Sequence, residues 1–309
     1  MKNIRIFPCL LSTVYCLLSF ISPHSLKAQE SPGLVFLKIG MGARSNGMGD
    51  ASSSVKGDAT ALYWNPAGLI GIEGIDFSLA HNEYFESIRY EFAGFAYGKG
   101  KQAFGVALGG LFMDDGLELR GENPGDPIGI FHPHDIFLSF SYARQIGEEA
   151  SVGVTFKGLH ERIYIHSLDT WALDLGLQLQ PQEVKGLRLS GVLQNLGPNT
   201  QLVEEKMRIP TTVRFGGGYL LPWKLLDGKL FVAADGVKAI LTDFRYNAGI
   251  EFDHKSGMQL RFGYKFNYDI ETFSAGAGFK VEKARVDYAF VPYSDDFENT
   301  HRVSLGFGF

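Results

Sequence analysis

The chain has 309 residues, of which 45% are hydrophobic, 13% aromatic and 20% charged, with a formal net charge of −5. So apolar a chain must fold to escape water, which excludes disorder, and two cysteines are too few for a disulfide scaffold. The acidic balance argues against a nucleic-acid partner, which normally selects a basic surface. The composition therefore predicts a folded chain that is rich in glycine, with 38 of these residues.

Residues 1–28 are typical of a cleaved secretory signal peptide. Lys2 and Arg5 precede an apolar stretch over residues 6–21, and Ala28 offers a small residue for cleavage. A lipoprotein interpretation through Cys16 is weaker, because the residues just before it are large. Both cysteines leave with this segment, so the exported chain must be stable without disulfides.

After residue 28 the apolar pattern has a period of two, and no segment approaches the roughly 20 consecutive apolar residues of a membrane helix. Strict alternation over residues 170–180, 243–252, 257–266 and 300–309 predicts strands with one apolar face and one small or polar face. Fourteen segments carry this pattern, near residues 74–84, 87–99, 101–114, 134–147, 151–165, 169–181, 187–196, 209–222, 228–238, 243–253, 257–268, 271–281, 284–292 and 300–309.

The composition of the two faces separates a membrane barrel from a secreted protein of two β-sandwich domains, which would also alternate. A sandwich would show water a face full of Lys, Glu, Ser and Thr. In this sequence the small or polar face of the strands carries Gly and Ala with isolated charges of both signs, which suits a crowded lumen. These charged residues are Asp174, Arg188, Arg245, Glu251, Arg261, Lys265, Arg285, Asp287 and Arg302. Aromatic residues near strand ends fit interfacial girdles: Tyr142, Trp171, Tyr219, Trp223, Phe266, Tyr268 and Phe309.

We therefore predict an all-β fold, a transmembrane antiparallel β-barrel of about 14 strands in a Gram-negative type of outer membrane. Short connections at one end and the long loops 115–133 and 197–208 at the other agree with this architecture. The domain division is a signal peptide over 1–28, a luminal segment over 29–73 and the barrel over 74–309. Lipid of the outer membrane is the first partner that this division implies.

The stretch 33–73 does not alternate like a membrane strand, and it predicts an ordered plug. Asp58 is placed to cap a short helix through Leu62, and Asn65 to cap a second turn that has Pro66 at its first position. Non-helical backbone is tolerated at membrane depth when it is buried in protein. Gly47 and Gly49 suggest backbone angles closed to other residues.

The run GARSNGMGDASSSVKGDATALYWNPAGL (42–69) resembles the N-terminal signature of the PorV/PorQ family of outer-membrane proteins, within the FadL-like barrel superfamily. The last two predicted strands, 286–309, and the stretches LRLSGVLQNLG and IPTTVRFGGGY are also similar to that family. Together these stretches cover about a third of the chain. The motif residues that we single out in the luminal segment are Arg44, Gly47, Gly49, Asp58, Trp64, Asn65, Pro66 and Gly68.

The resemblance implies a fourteen-stranded barrel with its N-terminal segment in the lumen. It also implies a role in the type IX secretion system, as a component that binds or shuttles secreted cargo at the cell surface. The partners would be C-terminal signal domains of that cargo and other secretion-system subunits. FadL-like relatives instead carry hydrophobic small molecules, which is the alternative function.

Signals for chemistry are weak, and we predict neither an enzyme nor a cofactor nor a metal site. The glycines near Gly42 lack the GxGxxG spacing of a phosphate loop. His132, His134 and Asp135 are metal ligands by type, but the loop around Pro133 predicts solvated side chains. Luminal charges could act as a selectivity filter, although mutual ion pairing is the simpler role, and Trp64 could either anchor the plug or stack on a ligand.

Overall fold

The structure is a computed structural model that describes residues 31–84, 86–121, 125–203, 205–294 and 298–309. Pro32–Phe309 form one compact unit. The predicted signal peptide lies outside the described residues. Among the described residues, no helix is long and apolar enough to cross a bilayer.

The described residues contain nineteen strands and four short helical segments, and all four segments lie between β1 and β2. The strands are β1 (Ser31–Pro32), β2 (Gly74–Glu83), β3 (Ile88–Lys99), β4 (Gln102–Met113), β5 (Leu117–Leu119), β6 (Gly129–Phe131), β7 (His134–Ile146), β8 (Ala150–Ile163), β9 (His166–Leu179), β10 (Leu187–Leu196), β11 (Asn199–Leu202), β12 (Glu205–Arg208), β13 (Thr212–Leu220), β14 (Gly228–Ala239), β15 (Arg245–His254), β16 (Met258–Phe266), β17 (Phe273–Val281), β18 (Ala284–Val291) and β19 (Thr300–Gly308). The helical segments are the 3₁₀ turns Val35–Lys38 and Pro66–Gly71 and the α-helices Ala43–Gly47 and Ala61–Trp64.

Fourteen of these strands form a closed antiparallel barrel, which confirms the predicted fold class. Strands that follow each other in the chain are neighbours in the ring, and β19 pairs with β2 to close it. Closure removes every sheet edge, so the backbone groups of the wall are bonded within the wall. All fourteen segments predicted from the alternation correspond to barrel strands.

The barrel has two unlike ends. At the turn end, β2 begins and β19 finishes, with Phe309 bonded through its backbone to Ile75, and the connections between strands are short. The long connections, 114–133 and 197–211, lie at the loop end, where they contain the small hairpins β5–β6 and β11–β12. Long loops at one end and short turns at the other agree with the sequence prediction.

The alternation places apolar side chains outside and small or charged side chains inside. Along β16 the outward residues are half exposed, with Phe262 at 55% and Leu260 at 40%, whereas the inward Arg261 is fully buried. One girdle assignment was wrong, because Tyr268 does not face outward. Its hydroxyl donates to the Oδ1 of the inward-facing Asn247 at 2.9 Å, since the strand has already ended at Phe266 and the loop turns over the lumen.

Residues 34–72 run through the barrel interior, with Leu34, Phe36, Met41 and Leu69 fully or almost fully buried. The sequence prediction misplaced the start of one helix, which begins at Ala61 with Thr60 at its N-terminal cap. Asp58 instead accepts bonds from the backbone N–H and the hydroxyl of Thr60. An Asx-type turn at Asp58 therefore precedes the helix. The other oxygen of the same carboxylate accepts from Arg44.

Candidate functional site

The luminal segment approaches the wall so closely that several inward positions admit only glycine. A Cβ added at Gly263 would lie 1.9 Å from the backbone nitrogen of Gly49, and one added at Gly249 would lie 2.4 Å from the carbonyl oxygen of Met48. On another part of the wall, a Cβ at Gly153 would lie 2.5 Å from the nitrogen of Ala67. The segment therefore packs with its backbone against the backbone of the wall.

The glycines of the motif serve two different geometries. Gly49 has a φ of 62°, in the left-handed region that the sequence prediction required. Gly47 does not, because it lies inside the α-helix Ala43–Gly47, so the expectation of an unusual backbone angle was wrong there. Its requirement is space, since a Cβ would lie 3.1 Å from the Cα of Gly276 in β17.

Arg44 connects the luminal segment to the wall by charge. Its guanidinium makes two bonds to the carboxylate of Glu251 in β15 and one, at 2.9 Å, to Asp58. Glu251 also accepts from Arg261 at 2.6 Å, and Arg261 donates to Asp287 in β18 at 2.7 Å. Charge-assisted bonds of this kind are about twice as strong as neutral ones, so this network fixes the first helix of the segment.

A second anchor sits where β14 faces the segment. The carboxylate of Asp235 accepts from the backbone nitrogens of Ser52 and Ser53 at 3.1 and 3.0 Å, and from the Ser53 hydroxyl at 2.5 Å. Arg214 donates to the same carboxylate at 3.1 Å. Sequence reasoning did not single out Asp235 or Ser53, although the inward register of Asp235 within a strand was a signal that could have found the carboxylate.

The remaining motif residues stabilise the middle of the segment. The Oδ1 of Asn65 accepts from Ala67 at 3.0 Å with Pro66 at the first helical position, which confirms the predicted cap. The Nδ2 of Asn65 donates to the carbonyl of Ser53 at 2.8 Å. A Cβ at Gly68 would lie 2.8 Å from the carbonyl oxygen of Val55, so the chain folds back tightly on itself here.

A cavity of about 310 Å³ lies at the loop end of the lumen, above the luminal segment. We call it the loop-side cavity. Trp64 is at its base, where its Nε1 donates to the carbonyl of Met41 at 2.8 Å and its ring lies 4.9 Å from the Arg214 guanidinium. Its lining comes from the segment, β10, β13–β16 and three loops: Val35, Leu37, Lys38, Ile39, Gly40, Asp50, Trp64, Gln194, Thr212, Arg214, Val237, Ala239, Thr242, Arg245, Lys265, Tyr268, Asp269, Ile270, Glu271 and Tyr293.

Glu271 organises one wall of the loop-side cavity from the loop between β16 and β17. Its carboxylate pairs with Lys265 and accepts from the Tyr293 hydroxyl at 2.5 Å, with Arg302 at 3.6 Å. Burial opposes ionisation, but the charges of Lys265 and Arg302 prevail and lower the pKa of Glu271 to about 2. Lys265 also pairs with Asp50 of the segment at 2.6 Å, so the loop, the wall and the segment share one network.

The wall also contains one irregular ladder, between β9 and β10. Its register shifts between Leu193 and Leu196, where Asn195 takes a positive φ of 58°. The nitrogen of Asn195 donates to Asp174 at 2.8 Å, and its Oδ1 accepts from Lys157 at 2.8 Å. Buried polar groups thus replace the lost ladder bonds.

The metal candidates do not come together. His134 and Asp135 are consecutive residues of β7 and point to opposite faces of the wall, and His132 lies in the preceding loop, where its Nδ1 is 3.3 Å from the carbonyl oxygen of Met113. The described residues contain no group of three His, Cys, Asp or Glu side chains arranged to hold a metal ion.

The sequence matches no protein-family model and no curated protein. Its structure is similar to that of the toluene transporter TbuX of Ralstonia pickettii, with a TM-score of 0.60, 14% identity and coverage of 87% of this chain and 98% of that one. It is similar to the monoaromatic hydrocarbon channel CymD, with a TM-score of 0.57, 15% identity and coverage of 90% and 99%.

A FadL homologue of Pseudomonas aeruginosa is a third structural neighbour, with a TM-score of 0.54, 9% identity and coverage of 93% of this chain and 100% of that one. Identities this low demonstrate a shared fold. In each pair nearly the whole of both chains is matched, so the likeness includes the complete barrel. The chain therefore has the fold of FadL-like outer-membrane barrels.

Proposed function

We propose that this chain is an outer-membrane protein that admits small, largely apolar molecules through its lumen. The observation that carries the proposal is the loop-side cavity. It lies at the loop end of the closed barrel, and the luminal segment forms its base. TbuX and CymD are a toluene transporter and a hydrocarbon channel, which supports transport over chemistry. The proposal therefore includes no enzymatic step and no cofactor.

The outer surface supports membrane placement. Large apolar side chains are 40–55% exposed on strands all around the barrel, for example Phe140, Leu175, Phe215, Phe262 and Leu305. Water would not tolerate a contiguous apolar surface of this extent, whereas the hydrocarbon core of a bilayer covers it. Export through a signal peptide cleaved after residue 28 and the division into 29–73 and 74–309 belong to the same proposal.

The luminal segment would then be the element that controls passage. Residues 43–71 are held to the wall by the Arg44 and Asp235 networks and by backbone contact with wall glycines. The earlier residues Val35 and Lys38 are exposed to the loop-side cavity. Arg44, Gly47, Gly49, Asp58, Trp64, Asn65, Pro66 and Gly68 act in this proposal by holding the plug in place.

Uptake by intact cells tests the proposal. The full chain is produced in Gram-negative cells that lack their own aromatic transporters, and the rate of radiolabelled toluene uptake is measured. We expect a several-fold increase that Thr242→Trp, which fills the loop-side cavity, abolishes. Leu241→Trp is the matched control, since Leu241 is 58% exposed and does not line the cavity. Equal uptake with and without the protein would contradict transport.

A second function, cargo binding in type IX secretion, is favoured by the loop hairpins. Ile128, just before β6, is 69% exposed, and Ile130, within β6, is 62% exposed. Val203, just after β11, is 58% exposed. Exposed apolar side chains beyond the bilayer suit a protein partner. Capture of a purified C-terminal signal domain that is lost in the double variant Ile128→Asp, Ile130→Asp and retained in Thr242→Trp would favour this second function, and the reverse dependence would favour transport.

A further inference from the structure

Two cations of the loop-side cavity are poorly neutralised. Among the described residues, Lys38 makes no ion pair, and the nearest carboxylate oxygen to Arg245 is 4.0 Å away on Asp269. The Asp269 side chain is 95% exposed, so solvent screens this contact. The lining thus presents positive charge that nothing in the described structure offsets closely.

The other carboxylates of the cavity are already engaged. Asp50 pairs with Lys265 at 2.6 Å, and Glu271 pairs with Lys265 and accepts from Tyr293. These contacts lie on the side of the cavity formed by β16 and the loop after it. They leave Lys38 and Arg245 without a share in the network.

The two cations repel each other. Although Lys38 is exposed to the cavity, its partial burial lowers its pKa, and the positive charge of Arg245 lowers it further. Like charges that line one cavity favour an anion between them, because its negative charge attracts both. The Arg245 guanidinium is also held in place, with its centre 4.5 Å from the ring of Tyr268.

A third donor lines the same cavity. The Nη1 of Arg214 donates to the carbonyl of Asp50 and to Asp235, but its Nε has no partner among the described residues, and its side chain is only 9% exposed. An unpaired buried N–H is costly. A ligand oxygen that reached it would relieve that cost.

Besides its polar and charged side chains, the lining has an apolar and aromatic part. Trp64, Tyr268, Ile270, Tyr293 and Val237 provide flat or branched surfaces around the cations. The volume of about 310 Å³ is at the lower end of the roughly 300–1,000 Å³ typical of ligand pockets. A long chain would not fit, whereas a single ring with a charged group would.

We infer that the loop-side cavity binds a compact aromatic carboxylate, with Lys38 and Arg245 holding the carboxylate and the aromatic side chains holding the ring. This inference rests on the proposed transport function and names the ligand class of its receiving site. It departs from the hydrocarbons named for TbuX and CymD, because a neutral ring would leave both cations unpaired.

Calorimetric titration of the purified full chain in detergent tests the inference with benzoate, with the neutral isostere benzamide and with inorganic phosphate. We expect benzoate to bind at least tenfold more tightly than benzamide, and phosphate not to displace it. Lys38→Gln and Arg245→Gln should each weaken benzoate binding at least tenfold and leave benzamide binding unchanged. Lys229→Gln, an exposed lysine at the turn end, is the matched control.

Three results would overturn the inference: equal binding of benzoate and benzamide, displacement of benzoate by an equal concentration of phosphate, or unchanged binding in both variants. Each variant is first checked for the same heat-dependent shift in gel migration as the parent. A variant that keeps this shift is folded, so any loss of binding in it is not caused by unfolding. If toluene uptake is retained while benzoate does not bind, the ligand inference fails and transport stands. If benzoate does not bind and the protein does not increase toluene uptake, transport fails with it.

Discussion

Arg44 donates from both Nε and Nη2 to the two carboxylate oxygens of Glu251, at 2.8 and 2.7 Å. The two residues are 207 positions apart in the chain, so this bidentate hydrogen bond joins the luminal segment to β15 near the other end of the sequence. Arg261 makes a third bond to the same carboxylate. Glu251 therefore pairs with two guanidinium groups at once, that of Arg44 and that of the fully buried Arg261.

Replacing Glu251 with Gln should destabilise the barrel. The change removes the carboxylate that Arg44 and Arg261 share and leaves them only Asp58 and Asp287, and breaking a buried pair by removing one partner costs about 3–5 kcal/mol. The free energy of unfolding in urea, measured in detergent micelles, checks this. Glu118→Gln is the control, because the Glu118–Arg120 pair is exposed and such pairs contribute about 0–1 kcal/mol. Equal effects of the two changes would contradict the role of the network.

Gly263→Ala should displace the luminal segment. The new Cβ would lie 1.9 Å from the backbone nitrogen of Gly49, and overpacking of this kind costs about 1–3 kcal/mol. Hydrogen exchange of the amides over 43–52 should quicken, because their docking surface is lost. Gly191→Ala is the matched control and should leave this exchange unchanged, since no atom lies within 4 Å of a Cβ at Gly191. Unchanged exchange in the Gly263 variant would argue against backbone docking.

Leu175→Arg tests the outward face of the wall. Leu175 is 48% exposed on β9, and an arginine that faces lipid near the bilayer midplane costs about 2–4 kcal/mol. Unfolding in lipid vesicles should report this loss. Leu226→Arg, at a 79% exposed position in a turn, should have little effect. If both variants are equally stable, Leu175 does not face hydrocarbon.

Acid should weaken the loop that closes over the cavity. The folded-state pKa of Glu271 is about 2, below the roughly 4.3 of an unperturbed glutamate. Its contribution is therefore complete above the unfolded pKa and disappears as the pH falls from about 4.3 towards 2. The melting temperature of the parent should fall more steeply than that of Glu271→Gln over this range. Parallel curves for the two proteins would contradict the assignment.

Deleting residues 33–68 should open the lumen. The segment fills the interior and forms the base of the loop-side cavity, so single-channel conductance in planar bilayers should be small in the parent and much larger in the deletion variant. Deleting residues 117–131, which removes the hairpin β5–β6, should leave conductance low. A large conductance in the parent would mean that the segment does not plug the barrel.

The sequence by itself determined the wall of this protein. A strand has a period of two, so the alternation of Phe262 and Leu260 with Arg261 assigns each residue to a face without knowledge of its neighbours. The number of strands and the turn and loop ends follow from the same local pattern. The cap at Asn65 was equally readable, because Asn65 and Pro66 are adjacent in the chain.

Only the tertiary structure decided what meets in the lumen. Arg44 pairs with Glu251 and Asp235 with Ser53, and Lys38 lines one cavity with Arg245. Each set comes from distant parts of the chain, so its meeting depends on barrel register and on the path of a segment that has no period. The same cause explains the errors at Gly47 and Tyr268. In both, the local signal was real, but space beside β17 and a partner on β15 determined the geometry, and a sequence without its closed ring does not contain those distances. The error at Asp58 is local, because its carboxylate accepts from Thr60 two residues on.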